Sequence, residues 1–273
     1  MELDEIFEQT HKLPSVPKIA QELIASFNQA DVDIESIAKK IAQDQVISAK
    51  VLRLANSAHF APRRPVGAIH DAVIVLGFNT VRTLVIATGI TGAFFNAPGL
   101  DRRKFWLHSL SVAAYARWLA GFTRQNQDFA FTAGLLHNIG ELLIHIVIPD
   151  TASKIDRFVE SGANRQQIEN SNIGFDYVQV GEELARRWNF PPEIQRAIKY
   201  QLRPLSILPI TPLPIILNMA LWLADENGAI DPAQRLASLP DDLLEAMKVD
   251  RQALCAAFAA EANLFSGLDE LLN

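Results

Sequence analysis

Four residues of this chain have side chains suited to metal chemistry: two histidines, an asparagine and an aspartate. His137 and Asn138 adjoin in TAGLLHNIGELLIHIVIP, His108 lies in FWLHSLSVAAYARWLA, and Asp225 lies in LNMALWLADENG. Histidines on two helices could give imidazole nitrogens to one divalent ion, and Asp225 could add a hard carboxylate oxygen from a third helix. Each also has a structural interpretation, because a histidine on an apolar helix face is more often a hydrogen-bonded core residue. Asp225 could simply cap its helix.

The sequence lacks the short motifs of the common enzyme classes. It has no HExxH, no glycine-rich phosphate loop, no GxSxG and no GxGxxG. Zinc peptidase, NTPase, α/β-hydrolase and dinucleotide-binding sites therefore find no support. A serine–histidine–aspartate triad stays open, although nothing marks a nucleophile. The single cysteine, Cys255, excludes an internal disulfide and a CxxC zinc site, and its apolar surroundings in ALCAAFAA predict a buried structural thiol.

Composition and charge limit the partners. Of the 273 residues 49% are apolar, enough for a core of ordinary size, and the net charge is −6 with a pI near 5.5. An acidic chain is poorly suited to binding nucleic-acid phosphates, so we expect no nucleic-acid partner. The N-terminus has no apolar leader, and the apolar stretch 73–95 is interrupted by Asn79 and Arg82, which predicts a buried helix pair. We therefore expect a cytoplasmic protein with no membrane partner.

Helical periodicity dominates the chain. Ile34, Ile37 and Ile41 share one face of DIESIAKKIAQ behind Asp33, a plausible N-cap, and similar stripes recur to the C-terminus. LLIHIVI has the composition of a strand but continues a helical segment without a breaker. The passage RPLSILPITPLP has four prolines and predicts an extended connector from 203 to 214, leading to a last group of helices. The pattern predicts an all-α protein.

Several blocks of the sequence, in order and in register, resemble the HDOD output domains of bacteria, an offshoot of the HD phosphohydrolases. These blocks are KLPSVPKIAQEL, IAQDQVISAKVLRLANSAHF, IHDAVIVLGFNTVRTLVIA, FWLHSLSVAAYARWLA, FTAGLLHNIGELLI and VGEELARRWNFPPEIQRAI. The resemblance implies a multi-helix HD-like bundle over residues 13–210. An N-terminal helical part, 13–95, would pack on an HD-like half, 101–210, and residues 211–273 would form a helical extension.

The resemblance also assigns positions. His108 falls on the first metal histidine of HD enzymes, His137 on the histidine of their His-Asp pair, and Asp225 on their distant aspartate. Asn138 stands where that pair has its aspartate. An amide oxygen can ligate a metal but brings no negative charge, so the substitution weakens affinity for Mg²⁺ or Mn²⁺ and makes an activated metal-bound water less favourable.

Further positions depart from the catalytic relatives. Glu141 replaces a lysine, Tyr177 replaces a frequent histidine, and Tyr200 with Gln201 replaces a His-His pair, so the candidate ligands of a second metal are gone. The family motif also includes Asp44 before a helix and the Asn56-Ser57 pair after it. We interpret Asn56 as a helix-end cap that tolerates left-handed backbone, with a partner-contact surface as the alternative.

These residues predict a non-catalytic signalling or regulatory module that keeps a vestigial site and acts by binding a protein or a small effector. No metal or other cofactor is expected, and no catalytic residue. The resemblance implies a signalling-protein partner, and a homodimer is compatible with it. The alternative is a metal-dependent phosphohydrolase acting on nucleotides or cyclic dinucleotides, with Mn, Mg or Fe held by His108, His137 and Asp225. Whether the chain is an enzyme stays open at this point.

Overall fold

The computed structural model describes residues 2–9, 16–29, 32–56, 64–94, 97–225 and 231–260. Seventeen α-helices and two short 3-10 turns form the regular structure of these residues, which contain no strand, so the predicted all-α class is confirmed. The first six helices are α1 (Leu3–Glu8), α2 (Lys18–Ala25), α3 (Ile34–Gln43), α4 (Gln45–Ala55), α5 (Ile69–Leu76) and α6 (Phe78–Ala93).

The remaining helices carry the candidate site and the C-terminal part. They are α7 (Arg102–Phe122), α8 (Gln127–Leu136), α9 (Ile139–Val147), α10 (Pro149–Glu160), α11 (Arg165–Ile173), α12 (Tyr177–Arg187), α13 (Pro192–Tyr200), α14 (Pro212–Ala224), α15 (Pro232–Ala237), α16 (Asp241–Met247) and α17 (Arg251–Ala259). The long helix α7 packs against α8 and α14, and α12 packs against α9 and α13.

Local sequence signals set several helix ends. Asp33 caps α3 by accepting the Ser36 N–H at 3.0 Å, and the Asp44 carboxylate accepts the Ile47 N–H at 3.0 Å at the start of α4. Asp176 forms a capping box with Gln179 at the start of α12. Asn56 caps the end of α4 as predicted, because its side-chain amide donates to the Leu52 carbonyl at 2.8 Å, although its backbone is not left-handed. The same side chain bonds both backbone groups of Val66. Ser57 lies outside the described residues.

The proline-rich connector is shorter than predicted. Residues 204–206 form a 3-10 turn, and α14 begins at Pro212, so the extended prediction for 203–214 is wrong at both ends. Pro212 and Pro214 fit the first turn of α14 because the first N–H groups of a helix have no partner within it.

Cys255 is only partly buried, contrary to the prediction, because its neighbour Leu254 takes the core side of α17.

Within the described part of the chain, two apolar stretches reach the length and composition of a membrane span. One runs over Gln127–Val147, and 89% of its apolar window is buried inside the fold. The other is the pair α5 and α6, bent by 118° at its break, which confirms the predicted helix pair. Arg82 of α6 is buried with its guanidinium 4.0 Å from the centre of the Phe27 ring. This cation–π contact joins α6 to the segment after α2.

Close backbone contacts fix the helices beside the candidate site. A Cβ built on Gly134 of α8 would lie 2.5 Å from the Ala113 Cα of α7. A Cβ on Gly140 of α9 would overlap the Tyr177 carbonyl and lie 2.7 Å from the Gly181 nitrogen of α12. Because both neighbours are backbone atoms, neither contact can relax by a change of rotamer. The glycine at position 140 therefore sets the distance between α9 and α12.

We predict that Gly140→Ala lowers the free energy of unfolding by about 3 kcal/mol, because an added methyl must push two helix backbones apart. Urea unfolding monitored by circular dichroism measures the change. Gly92→Ala in α6 is the matched control, since no atom lies within 4 Å of its added Cβ. That control should be neutral or stabilising by up to about 1 kcal/mol. Equal stability of the two variants would contradict the close-contact interpretation.

Candidate functional site

A cavity of about 420 Å³ opens among α7, α9, α10 and α11. Its lining brings together four of the residues that the sequence singled out, His108, Asn138, Glu141 and Asp225. It also contains five charged residues that the sequence did not single out: Asp101, Lys104, Asp156, Glu160 and Arg165. We call this space the central cavity.

His137 lies behind the central cavity with its ring almost fully buried. Its Nδ1 lies 2.7 Å from the Gly134 carbonyl oxygen, and its ring meets the His108 ring edge-on at a centroid distance of 5.5 Å. Burial, together with nearby His108, lowers the pKa of His137 to about 3. The imidazole is therefore neutral, and because a carbonyl only accepts, its proton must be on Nδ1.

Asn138 lies between α8 and α9 and is 6% exposed. The Ser109 hydroxyl of α7 lies 3.0 Å from Asn138 Oδ1 and 2.9 Å from the Phe105 carbonyl oxygen. These contacts tie the amide into the junction between helices. An uncharged amide at this position adds no negative charge to the cavity wall.

Asp225 ends α14 at the other side of the central cavity. Its Oδ2 lies 3.1 Å from Arg235 Nη1, and the Asp225 side chain is 42% exposed. Arg235 is nearly fully buried, and its Nη1 also lies 3.4 Å from the Trp222 carbonyl oxygen. The carboxylate is thus engaged by a cation that joins α14 to α15.

The other departures from the catalytic pattern lie outside this lining. Gln201 is fully buried and donates its amide N–H groups to the His137 carbonyl at 2.8 Å and the Ile198 carbonyl at 3.0 Å. Tyr177 begins α12, and Tyr200 lines a different groove. Asp44 and Asn56 belong to the N-terminal helices and do not line the central cavity. Tyr200 and Gln201, adjacent in sequence, therefore occupy separate environments.

An ionic network surrounds Arg165 at the floor of the central cavity. One guanidinium nitrogen, Nη2, lies 2.6 Å from Asp156 Oδ1 and 3.3 Å from Glu141 Oε1, and Nη1 lies 3.4 Å from Glu169 Oε1. His145 Nε2 lies 3.1 Å from Asp156 Oδ2, while His145 Nδ1 lies 3.1 Å from the Pro98 carbonyl oxygen. We call these five side chains the Arg165 network.

The Arg165 network contains fewer positive charges than carboxylates. Even with His145 protonated, three carboxylates face two cations. Burial raises the pKa of Glu169 to about 7, against the bond from the Tyr177 N–H and the charge of Arg165. Burial also raises the pKa of Glu141, with Arg165 opposing it. Glu169 therefore holds a proton up to near-neutral pH.

In His145, Asp156 and Arg165, the charges and hydrogen bonds of neighbouring groups together shift the pKa more than burial does. Burial works to lower the pKa of His145, but the Asp156 carboxylate raises it overall. Hydrogen bonds from His145 and Arg165 lower the pKa of Asp156 although burial opposes them. The three carboxylates likewise raise the pKa of Arg165 above its usual value despite burial. Opposite charges thus hold Asp156, His145 and Arg165 in their charged forms.

The side chains that could ligate a metal converge at a different place from the one that the sequence predicted. Among the described His, Cys, Asp and Glu side chains, one set of three has ligand atoms that all lie within 4.8 Å of one another. That set is Glu141, His145 and Asp156, and the Arg165 guanidinium already contacts its two carboxylates. His108, His137 and Asp225 do not form such a set. The sequence offered only the spacing of Arg165 and Glu169, four residues apart on one helix, as a signal for this network.

The comparisons with known proteins agree with this architecture. The family model of the HDOD domain matches residues 13–204. A protein of Shewanella amazonensis SB2B, provisionally named a phosphohydrolase, has a crystal structure that is 34% identical, covers 98% of both chains and superposes with a TM-score of 0.83. An HDOD domain protein of unknown function from Geobacter sulfurreducens is 27% identical over 98% of this chain and 97% of its own, with a TM-score of 0.82.

A curated relative is more distant. A protein of Treponema pallidum (strain Nichols), named only as uncharacterized, is 23% identical over 265 residues. The match covers 94% of this chain but 52% of the relative, so this chain spans about half the length of the curated relative that it matches.

We predict that Arg165→Met lowers the free energy of unfolding by about 3–5 kcal/mol, because it leaves buried carboxylates without their cation. Chemical unfolding at neutral pH measures the loss. Arg157→Met is the matched control, because Arg157 is exposed on α10 and takes part in no ion pair among the described residues. A loss no greater than that of the control would contradict the structural role of the network.

The pKa of Glu169 predicts a pH-dependent stability. The folded protein binds this proton up to about pH 7, but the unfolded chain loses it near 4.5, so the contribution is lost as pH rises between these values. His145, with its raised pKa, acts in the same direction, whereas His137, with a pKa near 3, contributes stability that is lost as pH falls below 6.5. These opposing contributions make a comparison with a variant necessary.

We therefore expect wild-type stability to fall relative to Glu169→Gln by about 2–3 kcal/mol between about pH 5 and about pH 8. Urea unfolding of both proteins across this range gives the difference, in which the contribution of His137 cancels. Parallel pH profiles would contradict the assignment of the proton to Glu169.

Proposed function

Since the chain belongs to the HDOD domain family, we propose that it is a non-catalytic regulatory module of bacterial signal transduction. In this proposal the helical fold acts as a scaffold that binds a protein partner or a small effector. The central cavity is then a vestige of an HD-type catalytic site, and the protein has no resident metal or other cofactor. The family and the fold are compatible with both a catalytic and a non-catalytic role, so the chemistry of the cavity has to distinguish them.

The observation that carries the proposal is the position of Arg165. A divalent cation in a hydrolase neutralises the carboxylates around it and lowers the pKa of a bound water. Here Arg165 is already paired with Glu141 and Asp156, the same carboxylates that converge with His145 into a ligand-like set. A guanidinium supplies the charge but has no open coordination position and activates no water. An ion could enter this set only by displacing Arg165.

The family's own metal position supports the same conclusion. Asn138 contributes no negative charge, and Asp225 is engaged by Arg235 at 3.1 Å. Two histidines and one shared carboxylate make a weak site for a hard divalent ion, which favours several charged oxygen ligands. The residues present therefore fit Mg²⁺ or Mn²⁺ poorly, and we derive no catalytic step through such an ion.

The alternative, a metal-dependent phosphohydrolase, is favoured by two specific observations. His137 has its proton on Nδ1, which leaves Nε2 with the lone pair that a metal ligand needs. The Shewanella amazonensis relative, 34% identical, is provisionally named a phosphohydrolase. In this alternative, His108, His137 and Asp225 would hold one ion and Asn138 would be a weak fourth ligand.

Metal content and turnover distinguish the two functions. The protein, purified without chelator, is analysed for Mn, Fe and Mg, and then assayed with Mn²⁺ on bis-p-nitrophenyl phosphate and on cyclic-di-GMP. We expect metal well below one ion per chain, and the same background rate for wild type and His137→Ala. Asn138→Asp should bind Mn²⁺ more tightly than wild type, because it restores a charge at close range.

One result would overturn the proposal in favour of the alternative. It is a stoichiometric ion in the wild-type protein together with a phosphodiesterase rate that His137→Ala abolishes. Circular dichroism of each variant shows whether a lost rate reflects a lost fold. Lys154→Ala, an exposed substitution on α10 outside the central cavity, provides the matched control for the assay.

A further inference from the structure

A second and larger groove lies away from the central cavity. Its volume is about 810 Å³, and it is bounded by α11, the start of α12, the end of α13 and the segment 202–206, with Leu3 of α1 at one edge. Tyr200, predicted from the sequence only as a lost metal ligand, lines this groove. Five side-chain amides also line it, so we call it the amide groove; they are Asn164, Gln166, Gln167, Asn170 and Gln179.

Most of the amides come from α11 and its N-cap, where they recur at helical spacing. Positions 164, 167 and 171 recur at helical spacing and place Asn164, Gln167 and Ser171 on one side of the helix. Gln167 and Ser171 are exposed.

An amide offers both a donor and an acceptor without a charge. Four of the five amides use one group within the protein, which leaves the oxygens of Gln166 and Asn170 as acceptors and the N–H groups of Asn164 and Gln179 as donors. With both groups of Gln167, this mixture suits a ligand that alternates donors and acceptors, as an extended polypeptide backbone does.

Most charges in the amide groove are already compensated. Lys199 Nζ lies 3.6 Å from Glu182 Oε1. The Asp176 carboxylate accepts the Gln179 N–H at 3.0 Å and the side-chain amides of Gln166 at 2.9 Å and Asn170 at 3.2 Å. Two cations and two carboxylates line the groove in all, so it has no excess positive charge for a polyphosphate.

Arg203 is the exception. Its guanidinium is exposed and has no ion-pair or hydrogen-bond partner among the described residues, although its backbone is held. The Arg203 N–H donates to the Tyr200 carbonyl at 3.0 Å, and the Ser206 N–H and hydroxyl both donate to the Arg203 carbonyl. A fixed backbone thus presents one uncompensated cation at the groove. Such a group suits a single carboxylate, which a guanidinium can bind through two parallel hydrogen bonds in a bidentate pair.

Apolar surface lies beside this cation. The Tyr200 ring is half-buried, Leu202 is 39% exposed, and Leu3 and Val178 complete the lining. An aromatic and aliphatic surface next to amides accommodates alternate side chains of an extended peptide, while the amides meet its backbone.

We infer that the amide groove binds an extended peptide segment of a partner protein, with a carboxylate of that segment paired to Arg203. This inference rests on the proposed function, in which the protein acts by association, and it names the surface and the chemistry of the contact. The carboxylate is an Asp or Glu side chain or a C-terminus, and amidated and free C-termini distinguish these sources.

The test is a selection of random-sequence displayed peptides on the full chain, with counter-selection on Arg203→Glu. We expect enrichment of peptides that contain Asp or Glu or require a free C-terminus. Synthetic, fluorescently labelled versions are then titrated by anisotropy. Arg203→Glu should weaken their affinity about tenfold or more, because it places like charges together. Tyr200→Ala should weaken it by removing the apolar platform.

Arg157→Glu is the matched control, an equal charge reversal on exposed α10 surface outside the amide groove. It should leave the peptide affinity unchanged. Because Arg203 and Arg157 are both exposed, neither reversal should shift the urea midpoint of unfolding, and urea unfolding of both variants verifies this.

The inference is overturned if no peptide is enriched over the Arg203→Glu counter-selection, or if the enriched peptides bind that variant as well as wild type. Displacement of the peptide by neutral oligosaccharides at equal affinity would also overturn it in favour of a sugar site. Failure here leaves metal content and turnover untouched, so it is distinguishable from failure of the proposed function. A catalytic result at the central cavity would conversely leave the peptide affinities as measured.

Discussion

The Arg165 guanidinium meets carboxylates of three helices: Glu141 on α9, Asp156 on α10 and Glu169 on its own helix, α11. Charges in this half-buried setting must be compensated within the protein, since water cannot reach all of them. The contacts therefore fix the relative positions of the helices that form the central cavity. Glu169 extends the constraint by accepting the Tyr177 N–H at 2.7 Å, at the first residue of α12.

The same helix connects two surfaces of different chemistry. Arg165 lies at the central cavity, whereas Asn164, Gln166 and Gln167, its neighbours in sequence, line the amide groove. On the groove side α11 is held through Gln166 and Asn170 to the Asp176 carboxylate that caps α12. A helical repeat of 3.6 residues per turn lets adjacent positions face in different directions. One short helix can therefore serve both an ionic interior and a polar outer surface.

Much of the fold follows from local patterns. Apolar stripes predicted an all-α chain, and Asp33 and Asp44 marked helix starts. The errors arose where a local rule allowed more than one outcome. Prolines 212 and 214 can break a helix or occupy its first turn, and only the packing of α14 on α7 and α8 selected the latter. Asn56 caps the end of α4, as predicted, but through its side-chain amide and not through left-handed backbone.

Some features of the candidate site could likewise be predicted from the sequence, and others depend on how the helices pack. Residue identity and order are local properties, so the family blocks, the positions of His108, His137 and Asp225, and the neutral amide at position 138 could all be found from the sequence alone. Only the tertiary structure brought Arg165 against Glu141 and Asp156, placed Arg235 beside Asp225, and separated Tyr200 from Gln201. Pairing across helices depends on crossing distances and on backbone contacts such as that of Gly140 with Gly181, and neither has a periodic signature in one sequence. Side-chain charge is written in the sequence, but its neutralisation is decided by which helices meet.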